Sequence, residues 1–429
     1  MQSFGLALLR GVLLATVLMG AAGAGRAQAD PYAGDGGVSP FYSWTGPLPA
    51  RPGRMLRREP LPAGLGLDHA ASAERVLYSS TDGVQGTRRI AVSGAVFFPA
   101  GKMPAGGWPI VAWAHGTTGI ADVCAPSWRP RSARDQAYLN TWLDQGFAVV
   151  ATDYQGLGTE GIHPYILYRP EGYSVLDSVR AALGAYPHQL ANKVIAVGQS
   201  QGAGAALGAG YLAPRYAPDV HLLGTVATGV VAEMASPGGA PQLPLPAATE
   251  EKGDVDAAYE ILFFLGTARA LDPSALPADY ISKPAAPLLE AAQHSCFGDL
   301  IKTAHDNGIT VDKLYARDIE ALNALQTKYG SFPGAKFHAP VFVGTGLADV
   351  SAGIASQYNF VSAMCFAGSK VESHYYPGMT HGGTVNASLV DSLPFVRRLI
   401  QGEPVPGNCA ALQPPGPTQQ PDHTKPGND

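Results

Sequence analysis

The feature that most narrows what this chain can fold into is the run Val194-Ile195-Ala196-Val197, then Gly198-Gln199-Ser200-Gln201-Gly202, then Ala203-Gly204-Ala205-Ala206. An apolar run suited to a buried strand meets small residues suited to a closely packed helix, with no linker between them. Two glycines let a chain double back that sharply, and the serine between them is left projecting from the turn. By itself the pentapeptide is weak. With 52 glycines in 429 residues, it arises by accident in roughly one chain in three of this make-up, so its weight depends on its surroundings.

A chain that is 46% hydrophobic and 15% charged can bury a large core, as one big α/β domain with insertions or as two domains. The net charge of −5 and a single Arg-bearing stretch, Arg51 to Arg58, supply no basic surface for nucleic acid. Those arginines read as a solvated linker. Residues 1–29 carry Arg10, the apolar Val12 to Met19 and then Ala27-Gln28-Ala29, the pattern of a secretory signal cleaved before Asp30. No later stretch reaches the roughly 20 apolar residues of a membrane span, so a secreted, soluble mature chain without a transmembrane segment is expected, extracellular or periplasmic. Cys124, Cys296, Cys365 and Cys409 allow three pairings, and export favours disulfides over thiols. None lies in a zinc-ligand spacing, so no metal site is expected.

Residues 30–70, rich in Pro, Gly and Ala, form an expected arm without regular structure. From 71 to 231 the pattern is a folded core. Arg75 to Ser80 and Ile90 to Phe98 read as an antiparallel pair, followed by the unbroken apolar runs Pro109 to Ala114 and Phe147 to Ala151. Such runs suit parallel strands buried on both faces, and the helix-like Gln136 to Gln145 and Gly172 to Tyr186 supply the crossovers. After a strand at Leu222 to Val231, about a hundred residues pass before Pro340 to Gly344, too many for a structureless loop. Ala257 to Ala270 and Val311 to Lys328 have apolar helical faces, so 232–337 is assigned as a helical cap or lid. The core resumes over 338–402, with Val371 to Tyr376 as a strand and Ser392 to Gln401 as a last helix. A tail over 403–429, dense in Pro and Gln, is expected to be disordered beyond Cys409.

A serine hydroxyl needs a base to take its proton, and the base needs an acid to fix its tautomer. Asp349, in the loop Gly344-Thr345-Gly346-Leu347-Ala348-Asp349, and His381, in Gly378-Met379-Thr380-His381-Gly382, follow Ser200 in the order nucleophile, acid, histidine found in α/β-hydrolases. All three fall just past the C-terminal ends of expected strands, the edge where open α/β sheets place ligands. Asp153 is the rival acid but precedes the serine; His115 and His374 are rival histidines that lack the glycine-flanked turn. Two fixed donors must meet the oxyanion. One is the backbone N–H of Gln201; the other comes from the loop His115-Gly116-Thr117-Thr118, with Thr118 favoured and Thr117 its neighbouring alternative.

With Gly198 to Gly202, the segments Asp153-Tyr154-Gln155-Gly156, Val175 to Ala181 and Asp122-Val123-Cys124-Ala125-Pro126-Ser127 resemble the secretory lipase family over about Tyr42 to Gly402. The resemblance implies an α/β-hydrolase fold with a mostly parallel sheet and a large helical cap. It further implies a triad of Ser200, Asp349 and His381, no cofactor, and disulfides Cys124–Cys296 and Cys365–Cys409. The chain departs from the family pattern at Gln199 and Gln201, where an aromatic residue and a glycine stand; the Gln201 side chain is expected to bear on entry to the acyl site.

The function expected from these residues is hydrolysis of carboxylic esters, by a lipase or esterase acting on triacylglycerol or shorter lipid esters, with transient cap contact at a lipid interface. Apolar cap residues such as Tyr259 to Leu265 suit either an acyl pocket or packing of the cap. Plant-wall or cutin-like esters are the alternative substrates, marked by an open polar cap groove, and a catalytically dead binding protein is the remote one. Asn386-Ala387-Ser388 is a glycosylation sequon relevant in a eukaryotic host.

Overall fold

The apolar runs and helical stretches settle into a nine-stranded sheet of order β1-β2-β3-β5-β4-β6-β7-β8-β9 in a computed structural model, which describes residues 30–245 and 253–428. The strands are β1 Met55–Pro60, β2 Ala70–Thr81, β3 Arg89–Pro99, β4 Trp108–Ala114, β5 Ala148–Thr152, β6 Leu190–Gln199, β7 Leu222–Thr228, β8 Val341–Gly346 and β9 Val371–Tyr376. The first three pair antiparallel, β3 joins β5 antiparallel, and every pairing from β5 to β9 is parallel. The signal sequence read over residues 1–29 lies outside the described residues.

Strand alternation divides the core between two faces. Ile110 and Ala112 of β4 pack with Val175, Val179 and Ala182 of helix α2 (Tyr168–Ala185) and Ala205 and Ala206 of helix α3 (Gln201–Tyr216). Val111 and Trp113 face the other way, onto Tyr138, Leu139 and Trp142 of α1 (Ala133–Asp144) and Phe395 of the helix Leu389–Gln401. With both faces covered, the central strands carry continuous apolar runs, as a parallel sheet requires.

Between β7 and β8 the chain builds a helical layer. Helix α4 (Asp254–Leu262) runs on through a π-helical turn, Phe263–Ala268. Its Ala257, Ile261, Leu262 and Leu265 pack with Leu300, Ala304, Leu314 and Leu322 and meet Ile120 and Tyr165 of the sheet side. The stretch Val311 to Lys328 is not one helix: a short turn Val311–Leu314 and the helix Glu320–Gly330 are separated by a bridge between Tyr315 and Ile281.

Two expectations need correction. Within the arm, β1 adds an edge strand to β2, and Arg57 Nη1 donates to the carbonyls of Pro40 and Phe41 at 2.9 Å. Edge pairing draws on backbone groups, which leave no side-chain periodicity to read. The tail is not loose beyond Cys409 either. Gln419 N–H donates to Leu347 O at 2.8 Å and Asp422 N–H to Gly378 O at 2.9 Å. Asn428, 1% exposed, accepts from Thr380 N–H at 2.6 Å and donates to Gly378 O at 2.7 Å. Polar residues without a pattern can still be ordered when they satisfy the backbone groups of a neighbouring loop.

Among the described residues no helix is long and apolar enough to cross a membrane. Asn386 donates its side-chain amide to Arg134 O at 3.2 Å, a bond that any glycan on that nitrogen would have to displace.

Candidate active site

At the junction of β6 and α3, the two glycines of the pentapeptide are required by contact. A methyl carbon on Gly198 would lie 1.9 Å from Gly202 O, and one on Gly202 would lie 1.9 Å from Ala114 O. The turn therefore closes only with hydrogen at both positions. Ser200 itself is held at φ 58°, ψ −124°, a left-handed conformation that a non-glycine residue adopts at a cost of about 1–3 kcal/mol. It is 7% exposed, and its N–H donates to Thr228 O, at the end of β7, at 3.0 Å.

His381 stands over that same strand end. A methyl carbon on Gly229, the next residue after Thr228, would lie 2.7 Å from His381 Cε1 and 2.8 Å from Nδ1. The imidazole Nδ1–H donates to Asp349 Oδ2 at 2.8 Å. A carboxylate can only accept, so the hydrogen is assigned to Nδ1 and the lone pair of the neutral ring to Nε2. Nε2 is buried and has no partner among the described residues.

Asp349 is fully buried and its oxygens are filled. Oδ1 accepts from the N–H groups of Ser351 and Ala352, each at 2.9 Å, and Oδ2 accepts from Gln357 Nε2, also at 2.9 Å, as well as from His381. Burial pushes this carboxyl up, but the hydrogen bond and charge interaction with His381, with the Ala352 and Gln357 donors, outweigh it and hold the group below its ordinary value.

The rivals fall into other networks. Asp153 accepts from Ser93 Oγ at 2.7 Å and from Ser127 N–H at 3.0 Å, beneath β3 and β5. His115 donates from Nδ1 to Gly116 O at 2.7 Å and lies on the Tyr154 ring, 4.4 Å between centroids. His374 is paired with Glu372 and packs on Phe342.

The loop after β4 runs beside the serine: a methyl carbon on Gly116 would lie 3.6 Å from Ser200 Cβ. Within that loop, Thr117 Oγ1 and Tyr165 OH share a hydrogen bond of 2.6 Å, and Thr118 O accepts from Phe297 N–H at 2.9 Å. Phe297 opens a cap helix directly after Cys296, which is bonded to Cys124; the other disulfide joins Cys365 to Cys409. Gln201 is the first residue of α3, where backbone N–H groups have no partner within the helix and face outward from its positive end.

The Gln201 side chain does not reach an acyl entrance. It is 1% exposed and donates from Nε2 to Glu171 Oε1 at 2.7 Å and to His163 Nε2 at 2.9 Å. Sequence reasoning missed Glu171 and His163, and nothing in their local pattern marks them: each is a single polar residue in an otherwise ordinary helix or loop.

Tyr259 to Leu265 mostly pack the cap onto itself, with Ile261, Leu262, Phe264 and Leu265 no more than 2% exposed. Glu260 and Phe263 of that run line a cleft of about 340 Å³ beside the end of β7. Its other walls include the apolar Ile166, Val231 and Ala232 and the polar Glu233, Asn323, Gln326, Thr327 and Ser331.

Comparison with known proteins agrees with this architecture. The secretory lipase family matches over residues 132–237. Lipase A of Moesziomyces aphidis is 30% identical over 185 residues, 40% of this chain and 38% of that one. The secreted triacylglycerol lipase LIP2 of Malassezia furfur is 24% identical over 67% of this chain and 63% of its own. Both alignments thus cover less than two thirds of the relative. Candida antarctica lipase A in its closed state superposes with a TM-score of 0.64 at 20% identity, covering 92% of this chain and 90% of that one. The rice cell wall degrading esterase LipA from Xanthomonas oryzae gives 0.62 at 17%, covering 83% and 100%. By fold this chain is an α/β-hydrolase, and in sequence it is similar to the secretory lipases over residues 132–237.

Proposed function

We propose that this chain is a secreted serine carboxylester hydrolase, a lipase or esterase, with Ser200 as nucleophile, His381 as base and Asp349 as the acid that orients it. The observation that carries the reading is the His381–Asp349 pair, bonded at 2.8 Å and set over the strand end to which Ser200 is itself hydrogen-bonded.

The chemistry follows from the tautomer. Nε2 takes the Ser200 proton as Oγ attacks the ester carbonyl, and the buried Asp349 carboxylate stabilises the imidazolium. The tetrahedral oxyanion is met by the N–H of Gln201 and by Thr118, or its neighbour Thr117, on the loop clamped by Phe297. Collapse expels the alcohol with the proton from His381, and water then releases the acid from the acyl enzyme by the same steps. These steps use no cofactor. Cleavage of residues 1–29 delivers the mature chain outside the cytoplasm, where the two disulfides persist. Exposed Val255 and Leu276 on the cap supply transient contact with a lipid interface.

Lipid esters are the leading substrates, by likeness to the secretory lipases. A second reading, esters of plant-wall or other hydroxylated polymers, is supported by the cleft beside β7, where Glu233, Asn323, Gln326, Thr327 and Ser331 offer partners to hydroxyl groups beside the apolar Ile166, Val231, Ala232 and Phe263. Ser200→Ala is expected to lower p-nitrophenyl ester hydrolysis by at least about a thousandfold with the fold unchanged. Retained activity overturns the triad. A rate series from acetate to palmitate, with emulsified triglyceride and acetylated xylan, separates the two substrate classes.

A further inference from the structure

Behind the elbow lies a buried polar group that the triad does not use. We propose that Glu171 and His163 are positioning residues for the oxyanion site, clamping the Gln201 side chain so that its backbone N–H stays aimed at the developing charge. The inference rests on the assignment of Ser200 as nucleophile and Gln201 as donor.

The hydrogen bonds around Gln201 admit one consistent assignment. His163 Nδ1 lies 2.8 Å from Gln155 O, and a carbonyl only accepts, so the ring hydrogen is assigned there. Nε2 of the neutral ring is then an acceptor, and it takes one of the two hydrogens of Gln201 Nε2. The other goes to Glu171 Oε1, which also accepts from Ile166 N–H at 2.8 Å. Both hydrogens of the amide are thus used, and all three side chains are 1% exposed. A side chain fixed at two points leaves the first residue of α3 little freedom to rotate its peptide plane.

The clamp also reaches the second donor loop. His163 stacks on Tyr154 with an interplanar angle of 9°, and Tyr154 OH donates to His115 O at 2.8 Å, at the start of the loop bearing Thr117 and Thr118. One connected network therefore holds both sides of the oxyanion site.

Burial keeps the network neutral. It pushes the Glu171 carboxyl up to about 8 against the Gln201 and Ile166 hydrogen bonds, and pushes His163 down to about 4. The other titratable groups acting on Glu171 are Tyr154 and Tyr165, both raised well above the usual phenol range and so uncharged. Arg169, on the same helix, is turned away to the carbonyls of Gly83 and Val84. As pH rises through about 8, Glu171 acquires a charge with no cation against it among the described residues, of the same sign as the oxyanion. The proton-bound form is the active one, so activity falls on the alkaline side.

The experiment compares kcat and KM across pH for the full chain, Glu171→Gln and Glu171→Ala, with Ser200→Ala as the blank. Glu171→Gln preserves the acceptor for Gln201 and Ile166 and cannot ionise; it should keep kcat near the parent at pH 7 and lose the alkaline fall. Glu171→Ala should lower kcat by about tenfold or more at unchanged KM. If Glu171→Ala does not fold, the Glu171→Gln profile decides alone. An alkaline limb that survives Glu171→Gln unaltered overturns the inference while leaving the triad intact. Activity in Ser200→Ala overturns the underlying functional reading instead.

Discussion

Gly229→Ala tests the placement of the base directly. At Gly229 the added methyl would sit 2.7 Å from His381 Cε1 and 2.8 Å from Nδ1, whereas carbon contacts settle near about 3.5 Å. The ring must therefore yield by about 0.8 Å, or the strand end must move. A displacement near 1 Å in a catalytic constellation costs about a hundredfold, so kcat/KM should fall by that factor, roughly 2.7 kcal/mol. Backbone strain adds a separate effect, because Gly229 has φ +57° and a side chain in that region costs about 1–2 kcal/mol of stability. Gly402→Ala supplies the control: it shares the positive φ, +73°, but nothing lies within 4 Å of its added methyl. Both variants should lose a few degrees of melting temperature, and only Gly229→Ala should lose activity. Steady-state hydrolysis of p-nitrophenyl butyrate, with circular dichroism to establish the folded fraction, reads the difference. If Gly229→Ala stays within about twofold of Gly402→Ala, roughly 0.4 kcal/mol, His381 does not stand where the chemistry needs it.

Two further outcomes follow from the supports of the site. Replacing Cys124 and Cys296 together by Ser opens a link spanning 172 residues, for which chain entropy sets a ceiling near 5 kcal/mol; the melting temperature should drop, and kcat should fall as the Thr118 loop loses its tie to the cap, both checked by calorimetry and ester kinetics. Asn428→Ala removes two hydrogen bonds to the loop carrying His381, each contributing about 1 kcal/mol, so kcat should fall several-fold with KM unchanged, an effect that a merely loose tail would not produce.

The succession of strands along the chain, the helical stretch between β7 and β8 and the placing of Ser200, Asp349 and His381 just past strand ends were legible because each leaves a local mark. Buried parallel strands must be apolar throughout, the elbow must carry glycine at both ends, and loops at strand ends must hold the functional side chains. The arm and tail left no such mark. β1 joins the sheet through backbone groups, and Asn428 acts through one amide on Thr380 and Gly378. Interactions made by backbone or by a lone polar side chain carry no period, so composition alone favoured disorder where the chain is held.

The same asymmetry explains why the proposed triad was legible in the sequence and its proposed support was not. Catalytic residues are constrained by order and by neighbours in sequence; Glu171 and His163 are constrained only by meeting Gln201 in space. Read alone, Gln201 departs from the secretory lipase pattern at a position next to the acyl site. In the fold its side chain points inward, and a glycine at that position would have nothing for Glu171 and His163 to hold. In this chain the Gln after the serine is matched by a buried acceptor pair. Replacing Gln201 by Gly while keeping Glu171 would strand a buried carboxyl with one donor fewer, so the departure and its two partners belong together as one unit of the site.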